Sequence, residues 1–287
     1  MPRRAPAVER VIAVLNLLAA HPGQADTLSD IARDLSLNKA TLHALLWALT
    51  ETGYLFRDPL TKSYTLGPAL IALGNAAAEG STVVQAAKPE MEGLRAELGF
   101  DCICSAAIQD EIVILARTGR PRPFGINVLP GMRVPLAPPL GTVFVAWSND
   151  AEIERYLARV GPVGSSKQLD HYRRAVKVVA SRGYSVALAS EGQSLGNQAL
   201  EESVRGLAPN DYALLDIDPK ASYRLRHVAA PVFGTRGEVV VALFLIGFQG
   251  EVPGDKLPAI AERVQQACDR ISRSIRGTYQ QAIASER

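Results

Sequence analysis

LSDIARDLSLNKATLHALLW, residues 28–47, reads as two short helices joined by a tight turn. Ile31, Ala32 and Leu35 put an apolar stripe on the first helix; Leu42, Leu45, Leu46 and Leu49 put one on the second, at spacings of three and four. Thr27 with Asp30 three residues on fits a capping box with Asp in the Glu/Gln place, and Asn38 is a suitable N-cap for the second helix. At about 100° per residue, Ala40, His43, Ala44 and Trp47 then point away from the leucines. With Asn38, Lys39 and Thr41 at its leading end, such a helix can enter a DNA major groove. Any helical hairpin inside a larger bundle would share this pattern, so the flanking sequence decides between the two readings.

After Glu51-Thr52-Gly53 come Tyr54–Arg57, the breaker-rich turn Asp58–Ser63, and Tyr64–Gly67: strand, turn, strand. A hairpin directly after a recognition helix is the wing of a winged helix-turn-helix. Its Arg57 and Lys62 suit phosphate or minor-groove contact. Ser29 and Tyr64 complete the expected DNA-facing set of Asn38, Lys39, Ala40, Thr41, His43, Trp47, Arg57 and Lys62. Upstream, Val8, Val11, Ile12, Leu15 and Leu18 form the amphipathic helix that closes this small core.

The order LSDIAR, NKATLHALL, GYLFRD and YTLG resembles the isocitrate lyase regulator (IclR) family of bacterial transcription factors, and the resemblance extends over nearly the whole chain. It implies an α+β protein. A winged helix-turn-helix with a linker helix (1–80) precedes a GAF-like α/β effector-binding domain (81–287). The resemblance also implies dimers or tetramers on an operator and a small-molecule effector; a repressor is the expected sense of regulation, which the chain itself leaves open against an activator.

Composition agrees with two domains: 287 residues, 47% hydrophobic, are ample for two packed cores. Net charge is only +2, and residues 1–66 carry seven Lys/Arg against six Asp/Glu, a balance of +1. Placement of charge rather than its bulk must support DNA binding, which excludes an indiscriminate DNA coat. No apolar run is long enough to span a membrane and no signal peptide is evident, so a cytoplasmic protein is expected. The three cysteines form no disulfide or zinc pattern and read as buried thiols.

Gly67-Pro68 opens an alanine-rich helix with little charge, read as a linker that pairs with a second copy. A helix over Val84–Leu98 follows. Strands are expected at Ile103–Ile108, Ile112–Ala116, Tyr184–Ala189, Tyr212–Ile217, Val228–Val232 and Val239–Ile246. Helices are expected near Ala151–Val160, Tyr172–Arg182 and Leu257–Ile275. Interleaved in this way, they suggest a mostly antiparallel sheet.

The family's pocket-lining segments match Gly131–Leu136 with Gly141, and the strand entering Ala229-Ala230-Pro231-Val232. The resemblance therefore implicates Leu136, Gly141, Val145, Arg226, His227 and Val228. Arg133 adds a cation, and with Arg226 and His227 it suits an organic acid. This chain departs from the family at several positions. Ala44 replaces a frequent Arg, Ser36 a frequent turn Gly, and Arg226-His227 a frequent Cys or similar small residue; residues 192–225 exceed the usual short link.

Two other function classes fit parts of the sequence. A metal sensor could use Cys102, Cys104 and His227. An enzyme could pair Cys104 with His227, but no GxSxG, P-loop, GxGxxG or HExxH motif supports one. No catalytic residue, resident metal or cofactor is expected.

Overall fold

The computed structural model describes residues 5–20, 23–119, 128–160, 166–189 and 212–285. The chain divides into two compact units, Met1–Ser81 and Thr82–Arg287.

In the first unit, α1 (Pro6–Ala20) precedes a two-residue β1 (Asp26–Thr27), α2 (Leu28–Asp34) and α3 (Lys39–Glu51). The expected caps form. The Thr27 hydroxyl accepts the Asp30 N–H while the Asp30 carboxylate accepts the Thr27 N–H, and the Asn38 side-chain oxygen accepts the Ala40 N–H at 2.7 Å. Ser36, in the turn between the helices, has φ +52°, which explains why glycine suits this position. The wing is β2 (Leu55–Arg57) and β3 (Ser63–Leu66), with β1 on the far side of β3. Val14, Leu18, Ile31, Leu42, Leu46, Leu49, Leu55 and Tyr64 form one buried core. Each large apolar side chain there contributes about 1.5–3 kcal/mol by leaving water. At the root of the wing the Gly67 N–H donates to Tyr54 O at 2.8 Å, and a Cβ on Gly67 would collide with Gly53 O. The helix α4 (Ala69–Gly80) buries none of its residues; Ile71 is 67% and Leu73 50% exposed.

The second unit is a seven-stranded antiparallel sheet. Its strands are β4 (Asp101–Ile108), β5 (Glu111–Arg117), β6 (Arg133–Pro135), β7 (Ser185–Leu188), β8 (Ser222–Phe233), β9 (Val239–Ile246) and β10 (Glu251–Pro253). The order is β10-β8-β9-β4-β5-β6, with β7 also paired to β8. Alternation along the strands separates two faces. Cys102, Cys104, Leu243 and Leu245 pack with Met91 and Leu94 of α5 (Thr82–Leu98) and Val264, Ala267 and Cys268 of α9 (Leu257–Ser285). The opposite face carries α6 (Thr142–Val145), α7 (Asp150–Leu157) and α8 (Ser166–Arg182).

The strand expected at Tyr212–Ile217 reduces to one bridge, Ala213 to Ala187. The Arg182 guanidinium donates to the carbonyls of Leu214 and Leu215, occupying acceptors that a strand partner would use. Conversely, β8 starts at Ser222 and α8 at Ser166, both earlier than apolar periodicity suggests, because their first turns are polar and largely exposed. Most of the long 192–225 segment, residues 192–211, lies outside the described residues.

Candidate functional site

Two regions carry chemistry. On α3, Lys39, Ala40, Thr41, His43 and Ala44 are exposed, and Trp47 is 62% exposed. The Lys39 ammonium donates to Ser29 Oγ at 3.0 Å, which places these two expected DNA contacts together across the turn. Asn38 is at the same end, but its side-chain oxygen is used by the cap, leaving its amide N–H groups for a ligand. On the wing, Asp58 Oδ1 accepts the N–H groups of Leu60 and Thr61, at 2.7 and 2.9 Å; these bonds hold its carboxyl below the usual range. That loop presents Lys62, itself at φ +56°. Tyr64 is a correction: its ring is 5% exposed within the core, and the Arg57 guanidinium lies 5.8 Å from the ring centroid. The tyrosine therefore supports Arg57 rather than presenting its own ring. It faces inward because alternation along β3 sets it on the face that packs against the helices.

The second unit holds a cavity of about 710 Å³ between the sheet and α6 and α8. Its apolar wall includes Ile103, Ile112, Ile114, Val134, Val143, Val179 and Phe244. Three of the expected effector contacts line it: Gly141, Arg226 and His227. Gly141 has φ +83°, and a Cβ there would strike the Leu136 side chain. The other four do not line it. Arg133 is at the surface, donating to Glu111 at 2.6 Å. Leu136 and Val145 are packed in the core behind the wall, and Val228 faces the α9 side with Leu257 and Ala261.

The β7–β8 register explains Arg226. Ala187 pairs with His227 and Leu188 with Leu225, so Arg226 is the extra residue of a bulge. Leu225 joins Val228 in the cluster on the α9 side and also touches the cavity, which Arg226 and His227 both line. The imidazole meets Tyr212 and Phe244 edge to face, with centroids 6.0 and 5.0 Å away, and the Arg226 guanidinium lies 5.8 Å from the Tyr212 centroid. Burial, reinforced by the Arg226 charge, pushes His227 down to about 3, so it is neutral at ordinary pH. Burial pushes the Tyr212 phenol up to about 12, against the pull of Arg226. Sequence reasoning missed Tyr212, Phe244, Ser105 and Arg182 as lining residues. The period-two pattern Ile103/Ser105 and Phe244/Ile246 was the available signal for the sheet wall.

The arrangement overturns the metal and Cys–His alternatives. Cys102 and Cys104 point toward α5 and α9, whereas His227 opens on the cavity across the sheet. Burial raises both thiols, Cys104 to about 12, opposite to what a thiolate ligand or nucleophile needs. Among the described residues no three His, Cys, Asp or Glu side chains are grouped to hold a metal. None of the helices described is long and apolar enough to cross a membrane.

A capped helical hairpin with an outward polar face, followed by a wing and joined to a mixed α/β unit, defines a DNA-binding transcriptional regulator of the winged helix-turn-helix class. Residues 7–59 match the IclR helix-turn-helix domain. The chain is 24% identical over 270 residues to the HTH-type transcriptional regulator XynR of Escherichia coli strain K12, spanning 93% of this chain and 96% of that one. The helix-turn-helix unit thus matches the IclR type, and the likeness to IclR-type regulators runs over nearly the whole chain. An IclR transcriptional regulator structure from Alicyclobacillus acidocaldarius has the same fold, with a TM-score of 0.73 and 22% identity over 95% of this chain and all of that one. So has an IclR homologue from Microbacterium hydrocarbonoxydans complexed with 4-hydroxybenzoate, with a TM-score of 0.63 and 21% identity over 94% of this chain and 99% of that one.

Proposed function

We propose that this regulator is a repressor whose hold on its operator is released by a small organic acid bound in the cavity of the second unit. The observation that carries the reading is the bulge on β8, which turns a guanidinium into a cavity whose wall is mostly apolar. A carboxylate on an apolar body complements that combination, since Arg binds planar anions bidentately. The 4-hydroxybenzoate held by the Microbacterium hydrocarbonoxydans homologue supports the same ligand class. At the DNA, Lys39 and Ser29 meet backbone beside the leading end of α3. Asn38, Ala40, Thr41, His43 and Trp47 face the groove, and Arg57 and Lys62 hold phosphates from the wing. The unburied Ile71 and Leu73 of α4 support self-association, which gives two half-site readers. Ligand shifts DNA affinity only by its own preference between the DNA-binding and released arrangements.

The test is a gel shift of the full chain on DNA upstream of its own gene, with nonspecific competitor. A discrete complex that survives competitor and is released by an aromatic acid supports the reading. A specific complex indifferent to every acid tried removes the effector part of it.

A further inference from the structure

We infer that the cavity selects 2-hydroxy carboxylic acids, with Arg226 taking the carboxylate and His227 the neighbouring hydroxyl. This inference rests on the organic-acid reading and narrows it. Consecutive strand residues normally face opposite sides of a sheet. Here the bulge cancels that alternation at one point, and two adjacent side chains of unlike chemistry share one wall. Both gather around the same Tyr212 ring, the guanidinium carbon at 5.8 Å and the imidazole at 6.0 Å from its centroid.

The imidazole has ring contacts with Tyr212 and Phe244, and no hydrogen bond to a described residue. A neutral imidazole carries one donor and one acceptor. A hydroxyl offers both, which makes it the matching partner. A second carboxylate would need His227 protonated, and burial beside the Arg226 charge opposes that. Among the described residues, the groups in contact with His227 are Tyr212 from the 212–217 segment, Arg226 from its own strand and Phe244 from β9, none of them a carboxylate. Because both readers contact the same Tyr212 ring, the hydroxyl they favour is one close to the carboxylate. A remote one, as on a para-substituted ring, would point away from His227 into the apolar wall.

Three probes separate the possibilities: phenylacetate, its 2-hydroxy derivative mandelate, and 4-hydroxyphenylacetate, each titrated calorimetrically into the full chain. One enantiomer of mandelate is expected to bind about tenfold more tightly than phenylacetate, the gain of one satisfied hydrogen bond. His227→Phe, which keeps the ring contacts, should abolish that gap and leave phenylacetate within about threefold of its wild-type value. His227→Gln, which keeps a donor and an acceptor, should preserve part of it. Arg226→Gln should weaken all three probes. Mandelate binding no tighter than phenylacetate, or a gap that persists in His227→Phe, would overturn the inference while leaving the organic-acid reading intact. Wild-type protein that binds none of the probes would overturn both.

Discussion

His227 is held neutral by its surroundings, and that has a consequence for stability. Its value falls from 6.5 to about 3 on folding. Between those limits the unfolded chain binds the proton and the folded chain does not, so folding stability rises with pH across this window and is independent of His227 above it. Acidification from pH 7 to pH 4.5 should therefore cost the second unit about 2.5 kcal/mol through this residue. In His227→Phe that part of the loss disappears, visible as a smaller drop in the denaturation midpoint over the same pH range. An equal drop in both proteins would contradict the assignment. Ser36 is the opposite kind of residue, an exposed side chain in a left-handed backbone conformation. Ser36→Gly should stabilise the first unit by about 0.5–1 kcal/mol, because relief at positive φ outweighs the added chain entropy. Chemical denaturation of the first unit's transition measures it, and a destabilised variant would refute the strain.

Among the elements, the wing depends on the close approach of Gly67 to Gly53 O at its root. Gly67→Ala should force the hairpin apart at that point and cost about 1–3 kcal/mol, with loss of DNA binding while the second unit keeps its own melting transition. The helices α2 and α3 were legible in the sequence down to their caps, because caps and apolar stripes are local signals. The wing was legible too, but not the inward position of Tyr64, since a four-residue strand does not reveal which of its faces packs against the helices. Of the cavity, Gly141 and the pair Arg226-His227 were found through resemblance. The reason both members of that pair face inward was not readable, because the bulge exists only in the register with β7, about forty residues upstream. The same blindness placed Val228 in the pocket and Arg133 beside it. At α3, Lys39→Ala should weaken operator binding and lower the slope of log affinity against log salt by about 1. An unchanged slope would remove Lys39 from the phosphate contacts and leave its bond to Ser29 Oγ as its role.

At the scale of the whole molecule, the apolar side chains that α4 leaves uncovered should report on assembly. Replacing Ile71 and Leu73 together by Asp should lower the mass seen in sedimentation and reduce operator affinity, with each unit still folded; a wild-type mass would place the self-association surface elsewhere. The central claim is that a cavity in one unit governs the DNA grip of the other. The most direct measurement is fluorescence anisotropy of the full chain on its specific DNA during titration with aromatic and aliphatic carboxylic acids, in parallel for wild type and Arg226→Gln. The account predicts that at least one acid releases DNA from the wild type, and that Arg226→Gln binds the DNA equally well but needs at least about tenfold more acid. Release at the same acid concentration in both proteins would contradict it.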